Sequence, residues 1–292
     1  MKIDKFKRPV DKFNKKIVEE IIRGIEVKIK ENVSALHLAV NKDNEEYAET
    51  EEFSRLINTI ERIKKEDWIM EKNTRTTKYE GLGNIAVISE SKPDLCLYMI
   101  IKALKTNNGI AFLLDEKIHV ASKKIIEYVE EICRKNDYEF NVDYMEYKET
   151  KDIINTTDYF NTYLFINKQE AYFKFSESIH DKNVIYSSYG TMSLYLDDKK
   201  LKDELLRMDE FVFKNNIDLD LIKDMSVEDA VRKINKNIDN YGVVIFTKDT
   251  NKAYYFIENT NAKQIYVNKN PYREYLFDVE DEKLTKVKKI FI

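Results

Sequence analysis

The stretch NIAVISESKPDLCLYMIIKALKTNNGIAFLL, residues 84–114, contains the pattern that decides the fold. Two continuous apolar runs, 84–88 and 110–114, have the length of β-strands, and a helical segment, 95–105, lies between them. A strand, a helix and a second strand in this order are typical of parallel strands that are buried on both faces. The stretch therefore predicts a βαβ unit of an α/β protein.

The same alternation continues after residue 114. Short apolar runs rich in β-branched and aromatic residues are separated by stretches whose apolar residues recur at helical spacing. The predicted strands are 162–166, 184–186, 193–196, 243–247 and 265–268, and the predicted helices are 122–135, 199–208, 227–237 and 252–258. This alternation predicts a doubly wound, Rossmann-like parallel sheet with helices on both faces.

The N-terminal part of the chain has a different character. Residues 1–77 are highly charged, and apolar residues recur at helical spacing in two places, 17–25 and 53–63, with a polar stretch, 41–46, between them. Amphipathic stripes of this kind bury one helix face against a core. The sequence therefore predicts a helical lead-in of two helices that packs on the α/β core.

Composition and charge exclude several classes of protein. The chain has 292 residues, of which 43% are hydrophobic and 35% charged, and its formal net charge is −4. This balance leaves no basic surface for general nucleic-acid binding, and no apolar run approaches the ~20 residues of a membrane helix. Residues 1–5 lack the apolar segment of a signal peptide. We therefore expect a cytoplasmic protein that binds neither nucleic acid nor membranes.

Few side chains suit catalysis or metal binding. His37, His119 and His180 have no second histidine or cysteine at ligand spacing, so we expect no metal site. Cys96 lies in the first turn of a predicted helix, where the helix dipole favours a thiolate, but its apolar neighbours raise the thiol pKa. Cys96 is therefore the candidate nucleophile, while a small buried side chain is the preferred interpretation of both Cys96 and Cys133.

Several segments, taken in order, resemble one family. Residues 82–93, LGNIAVISESKP, and 103–114, ALKTNNGIAFLL, resemble a strand with its turn and the following helix and strand of the glutamate-5-semialdehyde dehydrogenases. These enzymes, also called gamma-glutamyl phosphate reductases, belong to the aldehyde dehydrogenase superfamily. The resemblance continues in the same order through 189–197, 226–235, 243–248 and 262–268.

The resemblance implies a domain organisation. Residues 78–208 would form a Rossmann-like nucleotide domain on which 1–77 pack, and 226–292 would return to the α/β core and carry an oligomerisation strand. The catalytic lobe of the family should lie in between, but only 209–225 occupy that place and they contain no cysteine. The family's chemistry needs a nucleophilic cysteine. We therefore expect a reduced second lobe that does not catalyse this reaction.

The resemblance also implies a cofactor site. The turn formed by Ser91, Lys92 and Pro93 would face the cofactor, and Asp115 and Glu116 stand where the superfamily offers a residue to the ribose. Acidic side chains bind ribose hydroxyls and repel a 2′-phosphate, so a retained cofactor would be NAD rather than NADP.

The substrate loop of the family matches at one position. Asn268 corresponds to an asparagine of that loop, whereas residues 269–275 replace its glycine-rich part. A second glycine-rich turn is replaced by residues 166–169, and backbone without glycine cannot approach a phosphate closely. The resemblance therefore implies substrate binding at Asn268 and an eroded site around it.

Three interpretations follow. The preferred one is a non-catalytic aldehyde dehydrogenase-like protein that acts by binding or assembly, as a homodimer or hetero-oligomer. The second is an NAD(P)-dependent aldehyde or semialdehyde oxidoreductase, in which Cys96 is an unusual nucleophile or a partner supplies the missing lobe. The third is an unrelated α/β binding protein, which a separate antiparallel sheet after residue 226 would indicate. The apolar chain end, 284–292, is expected to pair as a strand, within the sheet or across a homodimer.

Overall fold

The computed structural model describes most of the chain. It covers residues 13–43, 49–89, 92–114, 120–145, 159–166, 173, 179, 181–187, 191–197, 218–236, 240–262, 264–268 and 279–290. The helices are α1 (Lys15–Glu31), α2 (Val33–Asp43), α3 (Glu49–Lys65), α4 (Pro93–Lys105), α5 (Val120–Lys135), α6 (Val227–Lys236) and α7 (Thr250–Asn259). The strands are β1 (Thr77–Gly81), β2 (Asn84–Ser89), β3 (Gly109–Leu114), β4 (Val142–Met145), β5 (Thr162–Ile166), β6 (Asn183–Ser187), β7 (Thr191–Leu196), β8 (Asp218–Ile222), β9 (Asn240–Phe246), β10 (Gln264–Val267) and β11 (Thr285–Lys289).

The chain divides into two compact units. The first comprises Met1–Ser187 and Phe277–Ile292, and the second comprises Ser188–Leu276. Each unit has a parallel sheet and an apolar cluster of its own.

The first unit contains a five-stranded parallel sheet in the order β4-β3-β2-β5-β6. Helix α4 joins β2 to β3 on one side, while the chain continues from β5 to β6 on the other. The strand order therefore reverses between β2 and β5, as it does in Rossmann-like sheets. The predicted α/β class with a parallel sheet is confirmed, and the quoted stretch 84–114 forms the predicted βαβ unit.

The central strands of the sheet are buried because they are apolar on both faces. Every described side chain of β5 is buried, and β2 is buried from Ile85 to its end. Ala86, Ala111, Phe165 and neighbouring residues form one apolar cluster. Helix α4 is buried along its whole length, which fits a helix whose apolar residues surround its axis.

The helical lead-in differs from its prediction. Two helices were expected, but three form, because Val33–Asp43 is helix α2 between the two amphipathic stripes. Its sequence has no clear apolar stripe: Leu36 and Ala39 are buried, whereas Leu38 is exposed. The two-helix prediction is therefore wrong, since a helix without an amphipathic pattern gives no periodic signal.

The second unit contains a four-stranded parallel sheet in the order β10-β9-β7-β8. Helices α6 and α7 pack with it around Tyr195, Val231 and Phe256. Asp218–Ile222, inside the segment expected to be the remnant of the catalytic lobe, forms β8 and pairs with β7. The predicted helix 199–208 lies outside the described residues. The strands after residue 226, β9 and β10, pair in parallel with each other and with β7, so the antiparallel sheet that would have indicated an unrelated protein is not formed by these strands.

The chain end pairs as a strand, as predicted. Strand β11 runs antiparallel to β1, with Val287 opposite Tyr79 and Thr285 opposite Gly81. A Cβ at Gly81 would lie 2.4 Å from the carbonyl oxygen of Asn107, so only glycine allows this approach. The two strands form a separate ribbon within the first unit.

Candidate functional site

The carboxyl edge of the five-stranded sheet is the first candidate site. Parallel sheets bind ligands at this edge, at the point where the strand order reverses, which here lies between β2 and β5. Helix α4 begins at Pro93, shortly after β2 ends at Ser89. Its positive dipole end favours an anionic group, but Pro93 has no N–H and the Leu95 amide donates to the Asp94 carboxylate at 2.9 Å.

The structure places some of the predicted cofactor residues at this edge. Lys92 precedes the first turn of α4, where its carbonyl accepts a hydrogen bond from the Cys96 amide at 2.9 Å. Pro93 is the first residue of the helix and is buried. Ser91, Asp115 and Glu116 lie outside the described residues. The cofactor site therefore stays a prediction, with Lys92 and Pro93 in a suitable place.

Both cysteines are unsuited to nucleophilic attack in this structure. Cys96 is 4% exposed, and burial together with the Asp94 carboxylate raises the pKa of its thiol far above its usual range. Burial raises the thiol pKa of Cys133 to about 12. At neutral pH both thiols are protonated, whereas the nucleophile is the thiolate.

The carboxyl edge of the second sheet carries a polar cluster. Asp197, Thr247 and Asn268 each follow directly after a strand, β7, β9 and β10 respectively. The Thr247 hydroxyl donates to the Asp197 carboxylate at 2.7 Å, and the Lys252 ammonium of α7 donates to the same carboxylate at 2.6 Å. The Tyr195 hydroxyl lies 3.4 Å from that carboxylate.

The charges of this cluster are stabilised by one another. Burial alone would raise the pKa of Asp197, but hydrogen bonds from Lys252 and Thr247 outweigh it and hold that pKa below its usual range. The hydrogen bond to Asp197 raises the pKa of Lys252. Burial and the adjacent carboxylate raise the pKa of Tyr195. At neutral pH the cluster therefore contains a carboxylate, an ammonium and a neutral phenol.

The Asn268 side chain is hydrogen-bonded to the backbone of Thr247, directly after β9. Its side-chain oxygen accepts from the Thr247 amide and its side-chain nitrogen donates to the Thr247 carbonyl, both at 2.8 Å. The residue has a φ of 50°, a left-handed conformation that asparagine tolerates. These bonds hold the ends of β9 and β10 together. The substrate-binding role implied for Asn268 stays a prediction, and its amide already has two partners.

The cluster of Asp197, Thr247 and Lys252 was not predicted from the sequence. The signal was present, because Asp197 and Thr247 are polar residues placed directly after buried parallel strands, whose carboxyl ends share one edge. Lys252 lies in the first turn of the next helix, α7. Its pairing with Asp197 could not be predicted without the order of the strands.

Known structures share this architecture. A propionaldehyde dehydrogenase from the Clostridium phytofermentans fucose utilisation bacterial microcompartment superposes with a TM-score of 0.71 and 11% identity over 99% of this chain and 96% of that chain. Glyceraldehyde-3-phosphate dehydrogenase GapN from Methanocaldococcus jannaschii, complexed with NADP, gives 0.64 and 13% identity over 94% and 89%. The chain has the aldehyde dehydrogenase fold.

Gamma-glutamyl phosphate reductase from Thermotoga maritima is among the proteins with this fold. It gives a TM-score of 0.50 and 15% identity over 94% of this chain and 91% of that chain. No protein-family model and no curated protein matches the sequence. The resemblance to the aldehyde dehydrogenase superfamily is confirmed as a shared fold.

Within the described ranges, no three His, Cys, Asp or Glu side chains come together as metal ligands would. Among the same residues, no helix has the length and apolar character needed to cross a membrane.

Proposed function

We propose that this chain is a non-catalytic protein with the aldehyde dehydrogenase fold, which acts by binding and assembly. The observation that carries the proposal is the state of its thiols. The sequence has two cysteines, and both are buried in helices, where burial raises the pKa of each thiol. A thiolate nucleophile, which the resemblance implies for the catalytic reaction, is therefore not provided by this chain.

Nucleotide binding is the binding activity that we propose. Its support is the strand reversal between β2 and β5, with the start of α4 beside it. The acidic pair that follows β3 in the sequence, Asp115 and Glu116, favours NAD over NADP because a 2′-phosphate would be repelled. NAD would be held here as a ligand and would not be turned over.

A thermal-shift titration with NAD, NADH, NADP and NADPH tests binding. A ligand at 100 times its Kd stabilises by ~2.7 kcal/mol, so NAD or NADH is expected to raise the Tm visibly. The same samples are then assayed for aldehyde oxidation, where we expect no turnover. Turnover that is abolished by Cys96→Ser and kept by Cys133→Ser would show an active oxidoreductase and overturn the proposal.

The β1–β11 ribbon is the assembly surface that we propose. Residues opposite each other in an antiparallel pair share a face, so Tyr79 and Val287 lie on one face. Lys286 and Lys288 lie on the other face, where both pair with Glu80. Val287 is 51% exposed. A two-stranded ribbon is only marginally stable by itself. A second copy of this chain would cover the face that carries Tyr79 and Val287.

Light scattering after gel filtration tests assembly. We expect wild-type protein to be a dimer and Val287→Glu to be a monomer, because a charge buried beside Tyr79 at the interface would oppose association. Val27→Glu is the matched control, since Val27 is similarly exposed, at 47%, on α1. A monomeric wild type, or equal dissociation of both variants, would overturn the assembly proposal.

A further inference from the structure

The C-terminal segment, residues 279–290, is held by backbone hydrogen bonds, by buried apolar side chains and by one buried ion pair. The Val279 amide donates to the Tyr98 hydroxyl at 2.8 Å, and the Asn108 side chain donates to the Leu284 carbonyl at 2.9 Å. Tyr98 belongs to α4 and Asn108 follows that helix. The apolar side chains of Val279 and Leu284 are buried. The segment then continues into β11, which pairs with β1.

One ion pair connects a side chain of the segment with this helix. The Lys102 ammonium lies 2.8 Å from the Asp281 carboxylate, and their side chains are 4% and 9% exposed. Lys102 also lies 2.6 Å from Glu66, which follows α3. Although burial alone would lower the pKa of Lys102, Asp281 and Glu66 raise it. Without Asp281, this buried cation would retain only one carboxylate partner, and that partner is partly exposed.

Lys105 extends the cluster toward the only tryptophan. Its ammonium donates to the carbonyls of Ile63 and Glu66, at 2.9 and 3.0 Å, and lies 5.1 Å from the centre of the Trp68 ring. The end of α3, helix α4 and the C-terminal segment therefore meet at one buried ionic cluster. Trp68 fluorescence reports on this place, because the sequence contains one tryptophan.

One apolar cluster of the five-stranded sheet forms without the segment. That cluster consists of described residues from β2, β3, β4, β5 and the adjoining chain, and none of its members lies in 279–290. The segment contacts Tyr98 and Lys102 of α4 and buries Val279 and Leu284. We therefore expect loss of the segment to expose one side of α4 and to leave this cluster of the sheet packed.

We propose that the Lys102–Asp281 ion pair is a switch that retains the C-terminal segment on the first unit. When the pair is broken, residues 279–290 dissociate together with β11, while the parallel sheet stays folded. Breaking a buried ion pair by removing one partner is strongly destabilising, because it leaves an uncompensated charge. The inference rests on the proposed function only in so far as β11 carries the assembly surface; the switch would then control dimer formation.

Hydrogen exchange of the full chain tests the switch. In Asp281→Asn, peptides from 279–290 are expected to exchange about 100-fold faster, while peptides from β2 and β3 keep their protection. Glu282→Gln is the matched control, because Glu282 is the next residue and its exposed side chain pairs with Lys72. Trp68 fluorescence is expected to change in Asp281→Asn and not in Glu282→Gln.

A double variant separates the ion pair from general damage. Lys102→Met with Asp281→Leu replaces both charges by apolar groups, so slow exchange in 279–290 is expected to return. Equal acceleration in 279–290 and in the sheet, acceleration by Glu282→Gln, or no acceleration would overturn the switch. Light scattering tests the link to assembly separately. If the segment is released while the oligomeric mass is unchanged, the proposal that β11 forms the assembly surface is wrong, whereas the proposed switch is still supported.

Discussion

Asp197 shows how one side chain organises the edge of a parallel sheet. Its carboxylate accepts hydrogen bonds from Thr247, after the neighbouring strand, and from Lys252, on the helix that follows. The carboxylate is mostly buried, so each bond is made with little competition from water. It therefore links β7, β9 and α7 of the second unit.

Removal of this carboxylate should destabilise the second unit. Asp197→Ala leaves Lys252 and Thr247 without their acceptor, and we expect a loss of ~1–3 kcal/mol in the free energy of unfolding. Urea denaturation followed by circular dichroism measures it. Glu258→Gln, an exposed position on α7, is the control and should change stability by less than ~0.5 kcal/mol. Equal effects of the two variants would contradict a specific role for Asp197.

The position of a single residue could be predicted where it depends only on the neighbouring elements in the sequence. Lys92 and Pro93 lie at the start of α4 because they follow a strand and precede a helix, and both elements were predicted. The burial of Cys96 depends instead on what packs around α4. Because apolar residues surround that helix, its sequence favoured burial. The partners of Lys102 and Asn268 come from distant parts of the chain and were not predictable.

The β1–β11 ribbon depends on a glycine that the sequence did not single out. A Cβ at Gly81 would lie 2.4 and 2.7 Å from the carbonyl oxygens of Asn107 and Thr106. Both are backbone atoms, which cannot move aside as a side chain can. Gly81→Ala should therefore cost ~1–3 kcal/mol and speed hydrogen exchange in 77–81.

Gly24→Ala is the control for that substitution. A Cβ at Gly24 would meet the γ2-methyl group of Ile132 at 3.0 Å, and alanine is favoured over glycine inside a helix by ~1 kcal/mol. The two effects oppose each other, so a change near zero is expected in thermal unfolding. A Gly81→Ala protein as stable as this control would show that the ribbon can move away from the turn.

Helices α1 and α5 are linked by a charge that titrates in acid. Glu131 on α5 pairs with Lys28 on α1 and with Lys135, and hydrogen bonds from Lys135 and Lys28 lower its pKa from 4.5 to about 2. A carboxyl whose folded pKa is lowered stabilises the fold above its ordinary pKa, and that contribution is lost as the pH falls.

The stability of wild-type protein should therefore decrease between pH 4.5 and about 2 in part through Glu131. In Glu131→Gln this part of the decrease is expected to disappear, with a lower Tm at pH 7. Glu127→Gln, an exposed position on the same helix, should keep the wild-type pH profile. Thermal unfolding at several pH values measures all three proteins; identical profiles would exclude a contribution from the α1–α5 pair.

Elements with a strong apolar pattern were predicted and weakly patterned ones were not. Strand β5 matches its predicted range, and α4 and α5 begin two residues earlier than expected. Strands β1 and β4, with sequences TKYEG and VDYM, are short and polar, so their strand structure depends on pairing partners. Helix α2 was missed for a similar reason. Local sequence carries little information where tertiary contacts decide the structure.

At the scale of the whole molecule, two compact units, each with an apolar cluster of its own, predict two unfolding transitions. Phe256 is fully buried in the second unit, and Phe256→Ala should cost that unit ~3–5 kcal/mol. Trp68 lies in the first unit, so its fluorescence follows that unit alone, while circular dichroism follows both. In urea, we expect Phe256→Ala to move part of the circular dichroism transition to lower concentration and to leave the Trp68 transition unchanged. Leu104→Ala, in α4, is the reciprocal variant and should move the Trp68 transition. If each substitution shifts both signals together, the two units unfold as one cooperative structure.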